Sequence, residues 1–101
     1  MQHTRRENPL YLQYIREQPC IFCGAEAPSD PHHWNGRGAR DEIRNDYETV
    51  PACRVCHEKF HSLGPDTFMY RIAKSRMWLA SRATELLVRF FSRPDQSGGP
   101  F

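Results

Sequence analysis

The chain has 101 residues, with 14 basic and 12 acidic side chains and a formal net charge of +2. A chain of this length folds as one domain, whose core is small enough that a metal ion or a disulfide is often needed to stabilise it. The most apolar stretch, LLVRFF at residues 86–91, is too short for a membrane span and contains Arg89. We therefore expect a cytoplasmic protein with no membrane partner.

The first predicted element is a short N-terminal helix. Asn8 followed by Pro9 is typical of an N-cap and a first helical position. The run LYLQYIREQ then continues until Pro19 ends the helix. We expect its apolar residues to cover the cysteine-containing segment that follows.

Four cysteines form two pairs of equal spacing, Cys20-x2-Cys23 and Cys53-x2-Cys56. In a reducing compartment such pairs are more often metal ligands than disulfides. Four thiolates around Zn²⁺ would join the two ends of the segment 20–56, with a binding energy of order 10 kcal/mol that acts as folding energy. The sequence therefore predicts a structural zinc site with four cysteine ligands. Two disulfides, or four unrelated thiols, are the weaker alternative.

Two short strands are predicted between the cysteine pairs. Residues 31–34, PHHW, favour one strand, and residues 47–52, YETVPA, favour a second that ends at Pro51. The connection NGRGARDEIRND is polar and glycine-rich, as loops are. Successive strand residues face opposite sides of a sheet, so His32 and His33 reach one site together only if the strand bends there.

Two helices are predicted after the second cysteine pair. The first runs from Arg54 to about Leu63 and is closed by Gly64. The second is a long C-terminal helix over residues 66–92, followed by a flexible tail at 94–101. Apolar residues fall on one side of this long helix and are expected to form core: Phe68, Ile72, Leu79, Ala83, Leu86 and Phe90.

The long helix also concentrates positive charge. Residues 66–93 hold six basic and two acidic side chains, a local net charge of +4. On a continuous helix the arginines form a second stripe: Arg71, Arg82, Arg89 and Arg93. Arg37 and Arg40 lie in the loop after the two histidines. Arginine suits bidentate phosphate contacts, so both groups are candidates for DNA binding, with solvated surface as the alternative.

His57 and His61 are four residues apart, so on a helix they face the same side and can bind one ion. The stretch HEKFH also matches the H-E-x-x-H motif of metalloproteases. The extended protease motif has a third histidine where this chain has Thr67, which disfavours a protease. A site of three cysteines with His57 as the fourth ligand is a further alternative.

The combined motifs resemble a zinc-finger-bearing HNH endonuclease of the ββα-metal class, particularly small phage and bacterial members. The matching features are two Cys-x2-Cys pairs, a PHH motif, YETVP, and a histidine pair directly after the second cysteine pair. They span about residues 10–64. The resemblance implies a small α+β domain over residues 1–93, with a ββα-metal core at 30–63 stabilised by the cysteine-bound zinc.

The resemblance also implies how phosphodiester bonds in DNA would be hydrolysed. His32, His57 and His61 would bind a catalytic Zn²⁺, Ni²⁺, Mn²⁺ or Mg²⁺ ion, although three imidazoles suit Mg²⁺ least. His33 would be the general base, since an imidazole with a pKa of about 6.5 suits proton transfer near neutrality. The products would carry 5′-phosphate and 3′-hydroxyl ends.

The chain departs from the family pattern at Glu48, where the family has an asparagine that helps orient the base. A glutamate here would orient His33 or bind metal, or Asn45 or Asp46 would replace it. The alternative is an exposed strand residue with no catalytic role.

A different class of function also fits the sequence: a non-catalytic DNA-binding or adaptor module stabilised by zinc. The expected partner in both cases is DNA, in the cytoplasm of a bacterial cell if a phage encodes the chain. A small monomer contacts little DNA, so strong sequence preference would need a homodimer or a phage or bacterial protein partner.

Overall fold

The computed structural model describes residues 7–34 and 45–94. These residues form four α-helices and a two-stranded sheet: α1 (Pro9–Arg16), β1 (Asp30–His33), β2 (Thr49–Ala52), α2 (Arg54–Leu63), α3 (Pro65–Arg71) and α4 (Arg76–Phe91). The predicted small α+β class is confirmed at that level. None of the helices in these ranges is long and apolar enough to cross a membrane. The predicted DNA contacts of Arg37 and Arg40, and the tail from residue 95, lie outside the described residues.

Helix α1 begins as its sequence predicts. Oδ1 of Asn8 accepts a hydrogen bond from the backbone N–H of Tyr11 at 3.0 Å, and Pro9 occupies the first helical turn. Tyr11 and Ile15 are fully buried and pack with Phe90 of the C-terminal helix. The helix therefore contacts α4 as well as the sheet, and its expected cover of the cysteine-containing segment stays a prediction.

Strands β1 and β2 pair antiparallel, with His32 opposite Val50 and His33 opposite Thr49. Both histidines pair with β2, and β1 ends at His33, so His33 lies where the chain leaves the sheet. The bend expected at this pair stays a prediction. Pro51 lies inside β2 and does not end it. A strand in a two-stranded sheet has one unpaired edge, where a residue without an N–H group is tolerated.

The predicted continuous helix over residues 66–92 is wrong, because the chain breaks between α3 and α4. Ala73 has φ of 59°, in the left-handed region, and the backbone N–H of Lys74 donates to the carbonyl of Met69 at 3.0 Å. This is a Schellman-type helix end, with alanine at the position that glycine usually occupies. Ser75 then caps α4 through its side chain.

The apolar stripe predicted for the long helix is buried despite this break. Five of its members have at most 6% of their surface exposed: Phe68, Leu79, Ala83, Leu86 and Phe90. Ile72, next to the break, is half-buried. Four of the five buried residues lie within α4, so their spacing depends on one helix only. The predicted core residues are buried because the helical spacing of apolar residues is kept inside each of the two helices.

Candidate metal centres

The four predicted cysteine ligands lie together, and we call them the cysteine cluster. Their sulfur atoms all lie within 4.8 Å of one another. Sγ of Cys23 is 3.7 Å from Sγ of Cys53, far longer than a disulfide of about 2.05 Å, and all four thiols are free. The arrangement therefore supports a bound metal such as zinc. Because four sulfurs already lie together, the alternative of three cysteines with His57 is not needed.

Local backbone structure prepares these sulfurs for a cation. Gly24 has φ of 81°, which turns the chain after Cys23 and lets backbone N–H groups face the first cysteine pair. The N–H of Phe22 lies 3.4 Å from Sγ of Cys20. Burial raises the pKa of Cys20, but backbone N–H donors outweigh that effect and lower it to about 7. At Cys20 this favours thiolate, the form that binds metal, whereas burial and then the neighbouring Cys20 raise the pKa of Cys56.

His32, His57 and His61 form a second group, which we call the histidine cluster. One ring nitrogen from each lies within 4.8 Å of the others. The ring centroids are 4.9 Å apart for His32 and His57, and 5.0 Å apart for His57 and His61. The helix supplies two rings from one face of α2, four residues apart, and the strand supplies the third from β1. The structure thus brings together the three residues predicted as ligands of one ion.

His32 has an unusual environment for a polar side chain. It is 1% exposed, and neither of its ring nitrogens has a hydrogen-bond partner among the described residues. Burial, and then the nearby His57 and His61, lower its pKa to about 3, so the ring is neutral. An unsatisfied buried polar group costs about 1–3 kcal/mol, and native structures seldom retain one without a ligand or other partner. A divalent ion at this cluster fits the free lone pair.

Asp30 orients the histidine cluster, and the sequence analysis did not identify it. Its Oδ2 accepts hydrogen bonds from Nδ1 of His57 and from Nε of Arg54, each at 3.0 Å. Arg54 and His57 also hold the pKa of Asp30 below its usual value. Metal-binding histidines commonly donate their other N–H to a carboxylate in this way. Strand alternation could have pointed to Asp30, because it lies two residues before His32 and faces the same side.

His33 is the neighbour of His32 in β1, and its ring is not part of the histidine cluster. Its Nε2 lies 3.1 Å from Oδ1 of Asp46. Asp46 is buried, and its Oδ2 accepts a hydrogen bond from the backbone N–H of Asn8 at 2.9 Å. A carboxylate fixed by the start of α1 therefore orients the predicted base. Glu48 lies in the same short 3₁₀ turn, Asp46–Glu48, and its catalytic role stays a prediction.

Comparison with known proteins places both clusters inside one family. Residues 2–82 match the model of a family described as "Protein of unknown function (DUF968)". The chain belongs to this family. A similar curated protein is "Uncharacterized protein YdfU" of Escherichia coli (strain K12), 35% identical over 54 residues. That match covers 52% of this chain but 15% of YdfU, and no solved structure matches.

The arginines predicted to form one DNA-binding stripe lie on two helices. Arg71 is on α3, whereas Arg82 and Arg89 are on α4, so the break at Ala73 removes the continuous stripe. Arg82 also forms an ion pair with Glu85 at 2.9 Å. The arginine stripe was predicted on the assumption that a single continuous helix runs from residue 71 to residue 93, and that assumption does not hold.

An open groove of about 770 Å³ lies beside the histidine cluster. We call it the histidine groove, and it is lined by Arg16, Asp30, Pro31, Arg54, His57, Glu58, His61 and Ser62. His57 is half-buried and His61 is exposed, so solvent in the groove reaches both side chains. A ligand in this groove would contact His57 and His61 directly.

Proposed function

We propose that this protein is a metal-dependent DNA endonuclease of the HNH type. One observation carries the proposal: the three clustered imidazoles include His32, a buried neutral ring whose nitrogens have no partner among the described residues. Imidazole clusters of this kind suit Zn²⁺, Ni²⁺ or Mn²⁺ better than Mg²⁺, which prefers oxygen ligands. The resemblance of the sequence to HNH endonucleases supplies the reaction class.

The order of elements supports the same proposal. The ββα-metal core expected over residues 30–63 requires two antiparallel strands followed by a helix, and β1, β2 and α2 occur in that order. His32 comes from β1, and His57 and His61 come from α2, as that core requires of its ligands. Bound at these three side chains, a divalent ion would offset the negative charge that develops on the phosphate and on the leaving oxygen.

His33 is the base in this proposal. Asp46 accepts the Nε2–H of the ring, so the lone pair is on Nδ1, where the proton of the attacking water is taken up. The water oxygen forms a bond to phosphorus while the bond to the 3′ oxygen breaks. The leaving oxygen takes a proton from solvent, which gives 5′-phosphate and 3′-hydroxyl ends. Asp46 then stabilises the imidazolium form of His33.

Zinc at the cysteine cluster has a structural role in this proposal. Cys53 caps α2 and Cys56 lies in its first turn, directly before His57. An ion that fixes these two sulfurs to Cys20 and Cys23 therefore fixes the start of α2 relative to the chain that leads into β1. The position of His57 depends on that helix start.

The test is plasmid cleavage in a series of divalent ions, combined with a count of bound metal. We expect cleavage by the wild type, no cleavage by His33→Ala, and two ion sites per chain in both proteins. His32→Ala should keep only the zinc site and should not cleave. A wild-type protein that binds one ion and DNA without cleavage in any metal would instead support the DNA-binding or adaptor module.

A further inference from the structure

The histidine groove carries an arginine from each of two helices. Arg16 is the last residue of α1 and Arg54 is the first residue of α2. The carbonyl of Arg16 accepts a hydrogen bond from the N–H of Ser29 at 2.9 Å, which holds the end of α1 beside the start of β1. Both arginines therefore line the same opening as His57 and His61.

We propose that the histidine groove binds the sugar–phosphate backbone of DNA, with Arg54 and Arg16 contacting phosphates that flank the bond to be cleaved. The inference rests on the proposed nuclease function and names the residues that hold its substrate. These residues differ from the α3 and α4 arginines that the sequence singled out.

Arg54 is already positioned for such a contact. Its Nε donates to Oδ2 of Asp30 at 3.0 Å, while 72% of the side chain is exposed. One nitrogen, Nε, thus holds the side chain in place, and the hydrogen bond to Asp30 leaves Nη1 and Nη2 available to a ligand. A planar guanidinium with two free N–H edges matches the oxygens of a phosphate. Because the Arg54 side chain is already restrained, it loses less conformational entropy when DNA binds.

The spacing along α2 suits a neighbouring phosphate. Arg54 precedes His57 by three residues, which is about 4.5 Å along the helix axis. One DNA strand advances about 3.4 Å per nucleotide. A phosphate beside His57 would therefore have its neighbour, one or two nucleotides away, within reach of the Arg54 side chain.

The acidic residues of the groove allow a second test, in which a substitution is expected to strengthen DNA binding and not to weaken it. The charge of Asp30 is paired with Arg54 and lies against His57. Glu58 is exposed, lies four residues after Arg54 on α2, and interacts with it electrostatically. A phosphate bound to Arg54 would be repelled by Glu58. Removal of this charge should therefore strengthen DNA binding.

The experiment measures binding of a fluorescein-labelled DNA duplex by anisotropy over a series of salt concentrations. Each substitution is made in the full chain with His33→Ala, and no divalent ion is added. We expect Arg54→Gln and Arg16→Gln each to weaken binding about eightfold in 0.1 M salt and to reduce the logarithmic salt slope by about 0.9. Glu58→Gln should tighten binding. Arg54→Lys, which restores the charge, should restore the slope.

Lys59→Gln is the matched control, because Lys59 is an exposed cation of the same helix that does not line the groove. It should change affinity and slope little. The inference is overturned if Lys59→Gln has the same effect as Arg54→Gln, or if both arginine variants with wild-type zinc content keep the wild-type slope. The nuclease proposal fails separately, through absence of cleavage by the wild type, and the arginine effects on binding can still be measured in that case.

Discussion

Oδ2 of Asp30 lies 3.0 Å from Nδ1 of His57, and this contact joins the first residue of β1 to the histidine cluster on α2. The carboxylate accepts the Nδ1–H, so the lone pair of the ring is on Nε2. It thereby selects the tautomer of His57 and the orientation of its ring. Arg54 donates to the same oxygen and limits the movement of Asp30 in turn.

We predict that Asp30→Ala weakens ion binding at the histidine cluster by about 10- to 100-fold, the range found when carboxylate partners of metal-binding histidines are removed. Calorimetric titration of Ni²⁺ into zinc-loaded protein measures this affinity. Asp66→Ala is the control, because Asp66 is an exposed carboxylate whose partner is Arg76 at 3.6 Å. An Asp30→Ala protein with wild-type Ni²⁺ affinity would show that His57 is not oriented by this contact.

A second prediction concerns the partner of the proposed base. Asp46→Asn removes the carboxylate that accepts a hydrogen bond from His33, and we expect cleavage to fall by about 100-fold or more while metal content is unchanged. Glu48→Gln is the comparison, since Glu48 occupies the position that the family resemblance assigns to this role. Cleavage rates of the two variants under one metal decide between them. A larger loss in Glu48→Gln than in Asp46→Asn would return the role to Glu48.

Patterns of short range predicted much of this structure. The equal spacing of the cysteine pairs indicated the cysteine cluster, and the four-residue spacing of His57 and His61 placed both on one face of α2. The Asn8-Pro9 pair gave the start of α1. Each of these signals depends on residues a few positions apart. By contrast, Asp46 and His33 are 13 residues apart and meet only in the folded chain, so Asp46 stayed one of several candidates.

The unpartnered nitrogens of His32 lead to a third prediction. His32 contacts Phe60, with ring centroids 4.2 Å apart, so an apolar side chain fits its surroundings. We expect His32→Leu to stabilise the metal-free histidine cluster, raising the free energy of unfolding by about 1–3 kcal/mol, the cost of a buried unsatisfied polar group.

Added Ni²⁺ should make the wild type more stable to unfolding than His32→Leu. At an ion concentration of about 1,000 times Kd the wild type gains about 4.1 kcal/mol, whereas His32→Leu has lost a ligand and gains little. Urea unfolding of zinc-loaded protein with and without Ni²⁺ measures both effects. If His32→Leu destabilises the nickel-free protein, then His32 has a structural role that the described contacts do not account for.

The fourth prediction tests the structural zinc. Cys23 is exposed, so Cys23→Ser removes one sulfur of the cysteine cluster with little change in packing. We expect zinc content to fall and the thermal unfolding temperature to drop sharply, because ion binding at such sites supplies folding energy of order 10 kcal/mol. Metal analysis and circular dichroism measure the two quantities. Wild-type zinc content and unfolding temperature in Cys23→Ser would show that three sulfurs suffice or that the cluster binds no zinc.

The break between α3 and α4 shows where the sequence signal was insufficient. Glycine at the end of a helix would have predicted the stop, but the chain has Ala73 there and a continuous apolar stripe on both sides. Alanine is the strongest helix former, so the presence of Ala73 favours continuation of the helix. Phe68 of α3 and Leu79 of α4 pack in one core cluster, a long-range arrangement that the local sequence around Ala73 does not reveal.

The last prediction follows from that conformation. A non-glycine residue in the left-handed region costs roughly 1–2 kcal/mol, and glycine avoids this cost at the expense of greater freedom in the unfolded chain. We therefore expect Ala73→Gly to raise the free energy of unfolding by about 1 kcal/mol. Ala80→Gly, the same substitution inside α4, should lower it by about 1 kcal/mol. Urea denaturation of both variants measures the difference, and a loss of stability in Ala73→Gly would mean that the chain does not break at this residue.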